Sequence, residues 1–483
     1  MIFAESIMEK NLKIKLTHED IIFSDASLVD SFGRVFFYQG RIFRAVFEHQ
    51  EEHATFLVSS ELYKELQSKK YIPSTWKSDY QLDGYCMVLE HEYISKSQPH
   101  HWSFDMYKEA ILLLPKINSI CNKYGYELKD AHPYNIFFLK NTPIFIDFGS
   151  ISKRRIENEW VAYKQYLDYC YLQLLIWCTG DMFLTRKLLE DGISSFARTI
   201  PMTNIFDSFF VKQIEDDLFD FQLIFRGSKI FNNAAYKTKA RINKWGNRIA
   251  KYLLFRKHSL FTITKSFKNI DVVLDKIHRS NRPSIISAWQ NYHDTYKKDN
   301  AIISTPRFDQ IIQIVKDYAP DIKTAVDLAG NQGVFCNILN SKVKLDRIVL
   351  TDYDENAINS AFNYFKENTI DIEPYLFNFM IPLNKVEIDF VKSDIAFALA
   401  ITHHLILTQG YLLSVIFGQI KKYSNKYVAI EFMPLGLWNG VVKNEVPDWY
   451  TVDWFREEFI KHFHLIKECN LESNRILFLG RNL

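Results

Sequence analysis

Residues 324–335 read TAVDLAGNQGVF. An apolar run ends in an acid, a turn with two glycines follows, and helical spacing resumes at VFCNILNS. This order is a buried strand feeding a glycine turn and then a helix. Gly330 would let the backbone come close to a ligand, and Gly333 would let the helix pack tightly on the strand. The next strand, RIVLTD, ends at Asp352, where an acid can accept hydrogen bonds from both hydroxyls of a ribose. A dinucleotide fingerprint G-x-G-x-x-G would place its first glycine where this chain has Leu328. Asp327 is instead suited to a cationic group, such as the amino group of a methionine moiety.

The pattern extends in both directions from this turn. From about residue 290, β-type runs alternate with helical ones: TAVDLA, RIVLTD, EPYLFNF, DIAFALAI, YVAIEFM and RILFLG. Alternation of this kind predicts a mostly parallel sheet with helices on both faces. Ligands in such sheets sit beyond the carboxyl ends of the strands. DIAFALAITHHLIL therefore brings His403 and His404 to the ligand edge, as a substrate contact or general base, or as residues that cap or pack beneath the helix. Glu431, at the end of YVAIEFM, either orients a substrate hydroxyl or is a satisfied structural carboxylate.

These ordered motifs resemble the class I S-adenosylmethionine-dependent methyltransferases over roughly residues 290–483. The resemblance implies a Rossmann-like α/β domain in which Asp327, Gly330 and Gly333 form the cofactor loop and Asp352 binds the ribose. The third strand ends in LFNF, so Asn378 stands where many members carry an acid near the adenine. An amide there can still hydrogen-bond the base.

The N-terminal half carries a different chemistry. LKDAHPYNIFFLKNTPIFIDFG, residues 128–149, spaces Asp130 and Asn135 as D-x-x-x-x-N and opens D-F-G at Asp147. Phosphoryl transfer needs a carboxylate at the acceptor hydroxyl and side chains that hold the metal on the phosphates. Upstream, RVFFYQGRIFRAVF predicts a hairpin turning near Gln39-Gly40, ATFLVSSELYKELQSKK has helical spacing at Leu57, Leu62 and Leu66, and a long amphipathic helix starts after Ser103. Strands first and helices later fit an α+β bilobal unit. DAHPYN is similar to the D-x-H-P-x-N loop of aminoglycoside and choline phosphotransferases, and the likeness covers about residues 20–225. It implies Asp130 as base and Asn135 and Asp147 as Mg²⁺ ligands, with ATP as the donor. No G-x-G-x-x-G precedes the hairpin, and IFRAV replaces V-A-I-K, so Arg44 stands in for the phosphate-binding lysine. Glu61 or Glu65 is the expected helix partner of Arg44. The alternative is a kinase-like scaffold without turnover.

The two halves together resemble a bacterial family with a kinase-like N-terminal half, related to nodulation-type methyltransferases. By domain content, though in the opposite order, they also resemble the kinase–methyltransferases that end O-antigen chains. The expected domains are 1–225 (kinase-like), 226–290 (basic connector) and 291–483 (methyltransferase). The implied function is S-adenosylmethionine-dependent methylation of a bacterial surface glycan or glycolipid. Phosphorylation followed by methylation of one sugar, and a pseudokinase attached to a methyltransferase, are the other readings.

Bulk composition is permissive. The chain has 483 residues, 47% of them hydrophobic, and a formal charge of +2, which fits multidomain globular structure and names no partner. The charge is uneven, with fifteen Lys and Arg against two acids over residues 226–282. Ile242, Trp245, Ile249 and Leu253 share a helical face there. That segment is a solvated basic face, or it docks on an anionic membrane or phosphorylated glycolipid, or it binds nucleic acid. RNA ranks below a glycan as acceptor, because the aromatic residues follow core spacing. The six cysteines have neither zinc nor redox spacing, which fits a reducing cytoplasm. No signal-peptide core and no transmembrane helix are expected. The expected location is cytoplasmic, with peripheral attachment to the inner membrane if the basic segment docks there.

Overall fold

The computed structural model describes residues 14–157, 159–191, 270–284, 287, 297–298, 301–382, 384–437 and 445–483. Most of the basic segment 226–282 lies outside them. Residues 1–163 and 285–483 form one compact unit, and residues 164–284 form a second. No helix among the described residues is long and apolar enough to cross a membrane.

The first unit opens with short strands β1 (Ile14–Leu16) and β2 (Ile22–Phe23), then β3 (Gly33–Tyr38) and β4 (Arg41–Val46). Gln39 and Gly40 both have positive φ, 49° and 74°, so the hairpin turns through the left-handed pair that matches strand twist. The helices α1 (Glu51–Ser59) and α2 (Glu61–Ser68) follow. The sequence predicts helical spacing straight through this region, yet Ser60 is extended and its hydroxyl accepts the Tyr63 N–H at 3.1 Å. A residue that caps α2 cannot also continue α1. Strands β5 (Thr75–Lys77), β6 (Tyr80–Leu82) and β7 (Met87–His91) come next, and the five-stranded sheet has the order β2-β3-β4-β7-β5. The long helix α3 (Phe104–Lys123) is followed by β8 (Tyr126–Leu128), the hairpin β9 (Ile136–Leu139) and β10 (Thr142–Phe145), and β11 (Ile151–Lys153).

The second unit is helical where described: α4 (Leu172–Cys178), α5 (Met182–Asp191) and α6 (Ile270–Arg279). Among the described residues, Ile176 and Leu188 share a small buried cluster.

Back in the first unit, after a short hairpin β12 (Lys297–Lys298) and β13 (Ala301–Ile302), helix α7 (Pro306–Tyr318) begins at the Thr305 cap with Pro306 in its first turn. Then come β14 (Thr324–Leu328), α8 (Val334–Lys342), β15 (Arg347–Asp352), α9 (Glu355–Glu367), β16 (Glu373–Leu376), α10 (Lys385–Val391), β17 (Ser393–Ala398), α11 (Thr402–Leu407), α12 (Leu413–Lys422), β18 (Ser424–Phe432), α13 (Val452–His462), β19 (Phe463–Glu472) and β20 (Arg475–Asn482). The sheet order is β16-β15-β14-β17-β18-β20-β19, with every pair from β16 to β18 parallel and β20 antiparallel to both neighbours. Strand β19, FHLIKECNLE, escapes the sequence reading because every residue after Phe463 is partly buried or exposed. Strand order reverses between β14 and β17, which opens a crevice at their carboxyl ends.

Helix α3 packs on α9 within this unit. Asp105 accepts from the Asn359 and Asn363 amides at 2.6 and 2.7 Å, and its own N–H donates to Asn359 Oδ1 at 2.9 Å. Lys366 pairs with Glu109, and the rings of Phe138 and Phe362 meet edge to face. The helix that carries the first of these contacts starts at the Asp354 cap, two residues after Asp352.

Candidate functional site

The crevice between β14 and β17 holds a cavity of about 230 Å³. Asp327, Gly330, Asp352, Tyr353, Ala400, His404 and Arg307 line it, among others. Its lining includes strained backbone: Ala329 and Asn331 have φ of 61° and 52°, and Ala400 across the crevice has 53°. A left-handed alanine costs energy that the surrounding fold must supply, and such residues concentrate at working sites. A Cβ on Gly330 would lie 2.4 Å from Asp327 Oδ2 and 2.6 Å from Leu350 Cδ1. A Cβ on Gly333 would lie 2.6 Å from the Phe365 ring. Both glycines are therefore required by space, one beside the acid and one beneath the helix.

The two acids come from neighbouring strands, with Asp327 in register with Leu350. Asp352 accepts the Asn331 N–H on one oxygen and the Asp354 N–H on the other, each at 2.8 Å. These bonds tie the glycine loop to the end of β15. Burial raises Asp352 to about 6 against the pull of those N–H groups. Burial also raises Asp327 to about 7; the Cys336 thiol bond opposes the rise and the Asp352 charge adds to it. Two enclosed carboxylates with raised pKa values form a site that favours cationic and hydroxyl-bearing ligands.

The other sequence candidates separate here. His404 lines the cavity, and burial lowers its pKa. His403 is not among the lining residues, is buried, and is held near 3 by burial, with His404 and Arg475 adding to the effect. Its Nδ1 has no hydrogen-bond partner among the described residues. Glu431 is fully enclosed: Arg307 donates to it through Nε and Nη2 at 2.6 and 2.5 Å, and Arg475 through Nη1 at 3.2 Å. Asn378 lies in the turn after β16, exposed, with its Oδ1 accepting the Met380 N–H, and it is not among the cavity-lining residues. Arg307 and Tyr353 were not singled out from the sequence. The Thr305-Pro306 start of α7 was the available signal for Arg307, since it places that side chain on the first turn facing the sheet.

The N-terminal residues also meet one another. Asn135 donates through Nδ2 to Asp147 Oδ2 at 3.1 Å. The Ser150 hydroxyl accepts the Asp130 N–H at 3.0 Å and fixes that loop to the residues after D-F-G. Phe148 is buried against Phe32, Tyr63 and His91. Burial raises Asp147 to about 6; Arg44 opposes the rise, and Asp30 and Asp130 add to it. Arg44 is buried on β4 and pairs with Asp30, not with the expected helix glutamates. Glu61 pairs with Lys64, and Glu65 is held by Lys123 and Tyr124. Asp30 is thus a member of this cluster that the sequence reading did not name.

No family model and no curated protein matches the chain. Among solved structures, the N-methyltransferase NodS from Bradyrhizobium japonicum WM9 is 11% identical, over 36% of this chain and 94% of its own, with a TM-score of 0.29. The magnesium protoporphyrin IX methyltransferase of Synechocystis PCC 6803, solved with bound S-adenosylmethionine, is 9% identical over 41% of this chain and 99% of its own, at 0.28. Monomeric WbdD is 22% identical over 39% of this chain and 44% of its own, also at 0.28. The chain thus matches less than half of WbdD's length.

Proposed function

We propose that residues 285–483 bind S-adenosylmethionine and transfer its methyl group to a bacterial surface glycan or glycolipid. The observation that carries this reading is the pairing of Asp327 and Asp352 on adjacent strand ends around a loop where Gly330 has no room for a side chain. Those residues fit the group: Asp327 for the ammonium, Asp352 for the ribose hydroxyls, and the exposed ring of Tyr353 beside them for a flat base. When bound, S-adenosylmethionine supplies an electrophilic methyl group on a sulfonium. The chain's own part is to orient the acceptor and exclude water. A hydroxyl acceptor would give its proton to a His404 ring nitrogen, which burial keeps neutral and ready to accept. A phosphate acceptor would need no base.

The test is calorimetry with S-adenosylmethionine on the full chain. Tight binding that disappears in Asp352→Ala supports the reading, and no binding by the unmodified protein sinks it.

A second reading adds ATP with Mg²⁺ at the kinase-like N-terminal region, with phosphorylation preceding methylation. The contact between Asn135 and Asp147, beside Asp130, favours it. It requires ATP consumption that is lost in Asp147→Ala. Contact of residues 226–282 with an anionic membrane from the cytoplasmic side belongs to the same proposal. Vesicle sedimentation with and without anionic lipid tests it.

A further inference from the structure

The loop Leu28-Val29-Asp30-Ser31-Phe32-Gly33 is folded down on Asp147-Phe148-Gly149. Phe32 is 1% exposed, and its ring centroid is 5.9 Å from that of Phe148. A Cβ on Gly149 would lie 2.7 Å from Phe32 Cβ and 3.4 Å from Asp30 Oδ1. The far end of the loop is pinned to β4, because a Cβ on Gly33 would lie 2.2 Å from the Ala45 carbonyl oxygen. Asp30 Oδ1 accepts the Phe32 N–H at 2.9 Å, and Oδ2 takes the Arg44 guanidinium. The Asp30 charge is also felt at Asp147.

Spacing adds a second, independent point. Counted back from Gly33, a G-x-G-x-x-G loop would place its first two glycines at residues 28 and 30, where this chain has Leu28 and Asp30. In such a loop a glycine lets backbone N–H groups approach the phosphates. Here a carboxylate projects instead, onto an arginine whose fork grips carboxylate and phosphate by the same geometry.

We propose that the Asp30 carboxylate occupies, on Arg44, the seat of a nucleotide phosphate, so that loop 28–33 is a self-occupying latch over the N-terminal site. This rests on the reading of Asp130, Asn135 and Asp147 as a phosphate and metal site. A triphosphate must displace the carboxylate to reach Arg44, and it meets like charge while doing so. The opposite role, with Asp30 orienting Arg44 toward the phosphates, reverses the sign of every effect below.

The experiment is a titration of the full chain with ATP and Mg²⁺, read by calorimetry, beside a titration with S-adenosylmethionine. Asp30→Asn keeps the oxygen that accepts the Phe32 N–H and removes the charge. Its dissociation constant for Mg·ATP should fall by roughly tenfold or more. Asp30→Gly, which restores the spacing pattern, should show the same gain, and adding Arg44→Ala should abolish it. Unchanged or weaker binding in both Asp30 variants, with the unmodified protein binding normally, overturns the latch and leaves the nucleotide reading intact. If neither form binds millimolar Mg·ATP while S-adenosylmethionine still binds, the nucleotide reading falls and the latch falls with it.

Discussion

Glu431→Gln changes the charge beneath the cavity while preserving shape. The carboxylate is 0% exposed and bonds to Arg307 at 2.6 and 2.5 Å and to Arg475 at 3.2 Å. The two guanidiniums are themselves enclosed, with side chains 7% and 14% exposed. Removing one side of a buried pair leaves charge without compensation and costs about 3–5 kcal/mol. The amide retains one acceptor, so the lower end is expected. At about 2.1 cal/mol/K per residue over the roughly 360 residues of the compact unit, Tm should fall by about 4 °C. Thermal and urea melts of the full chain measure this, with S-adenosylmethionine calorimetry alongside. Adding Arg475→Leu should recover part of the loss, because one of the two stranded cations is then gone. An unchanged Tm together with lost methyl transfer would refute the reasoning, since Glu431 would then act on the acceptor and not as the anchor of two arginines.

Three further outcomes follow from the same cavity and its surroundings. Gly330→Ala should weaken S-adenosylmethionine binding by about tenfold or more and cost about 1–3 kcal/mol of stability, because its Cβ displaces the Asp327 carboxylate or Leu350; calorimetry and urea melts read both. Burial raises Asp327 and Asp352 to about 7 and about 6 in the fold, above the ordinary aspartate value of 3.8. The ligand-free fold therefore holds more protons than the unfolded chain from about pH 3.8 to about 7, and its stability should fall as pH rises through that window. Asp327→Asn should flatten that slope in Tm-versus-pH scans while removing S-adenosylmethionine binding. Finally, His404→Ala should lower kcat by about 10²–10⁴ if the acceptor is a hydroxyl, whereas His403→Ala should leave kcat near its original value and lower Tm instead; steady-state rates and melts of the two variants separate them.

The positions of the strand ends were legible because parallel strands buried on both faces leave unbroken apolar runs, as TAVDL and RIVLTD do. The D-L-x-G-x-x-G spacing located Asp327, Gly330 and Gly333, and the end of the next run located Asp352. Three features did not show. Strand β19 is half exposed and mixed in polarity, so its period was lost. The break at Ser60 depends on one hydroxyl choosing a cap over helix continuation. The partner of Arg44 was misplaced onto α2 because a loop carboxylate has no periodic signature.

By itself, then, the sequence determined the strands of the doubly wound sheet except β19, and where the acids and glycines lie along them, since burial period and turn chemistry are local properties. Tertiary structure decided the rest. It set Glu431 on two arginines that lie more than forty residues away from it in either direction, turned His404 and not His403 into the cavity, and laid Asp30 on Arg44. It also joined α3 to α9, and so packed the N-terminal region against the helix that follows the Asp352 strand. Each of these is a contact between distant parts of the chain. Its strength comes from desolvation and charge pairing that exist only once the fold has brought the partners together.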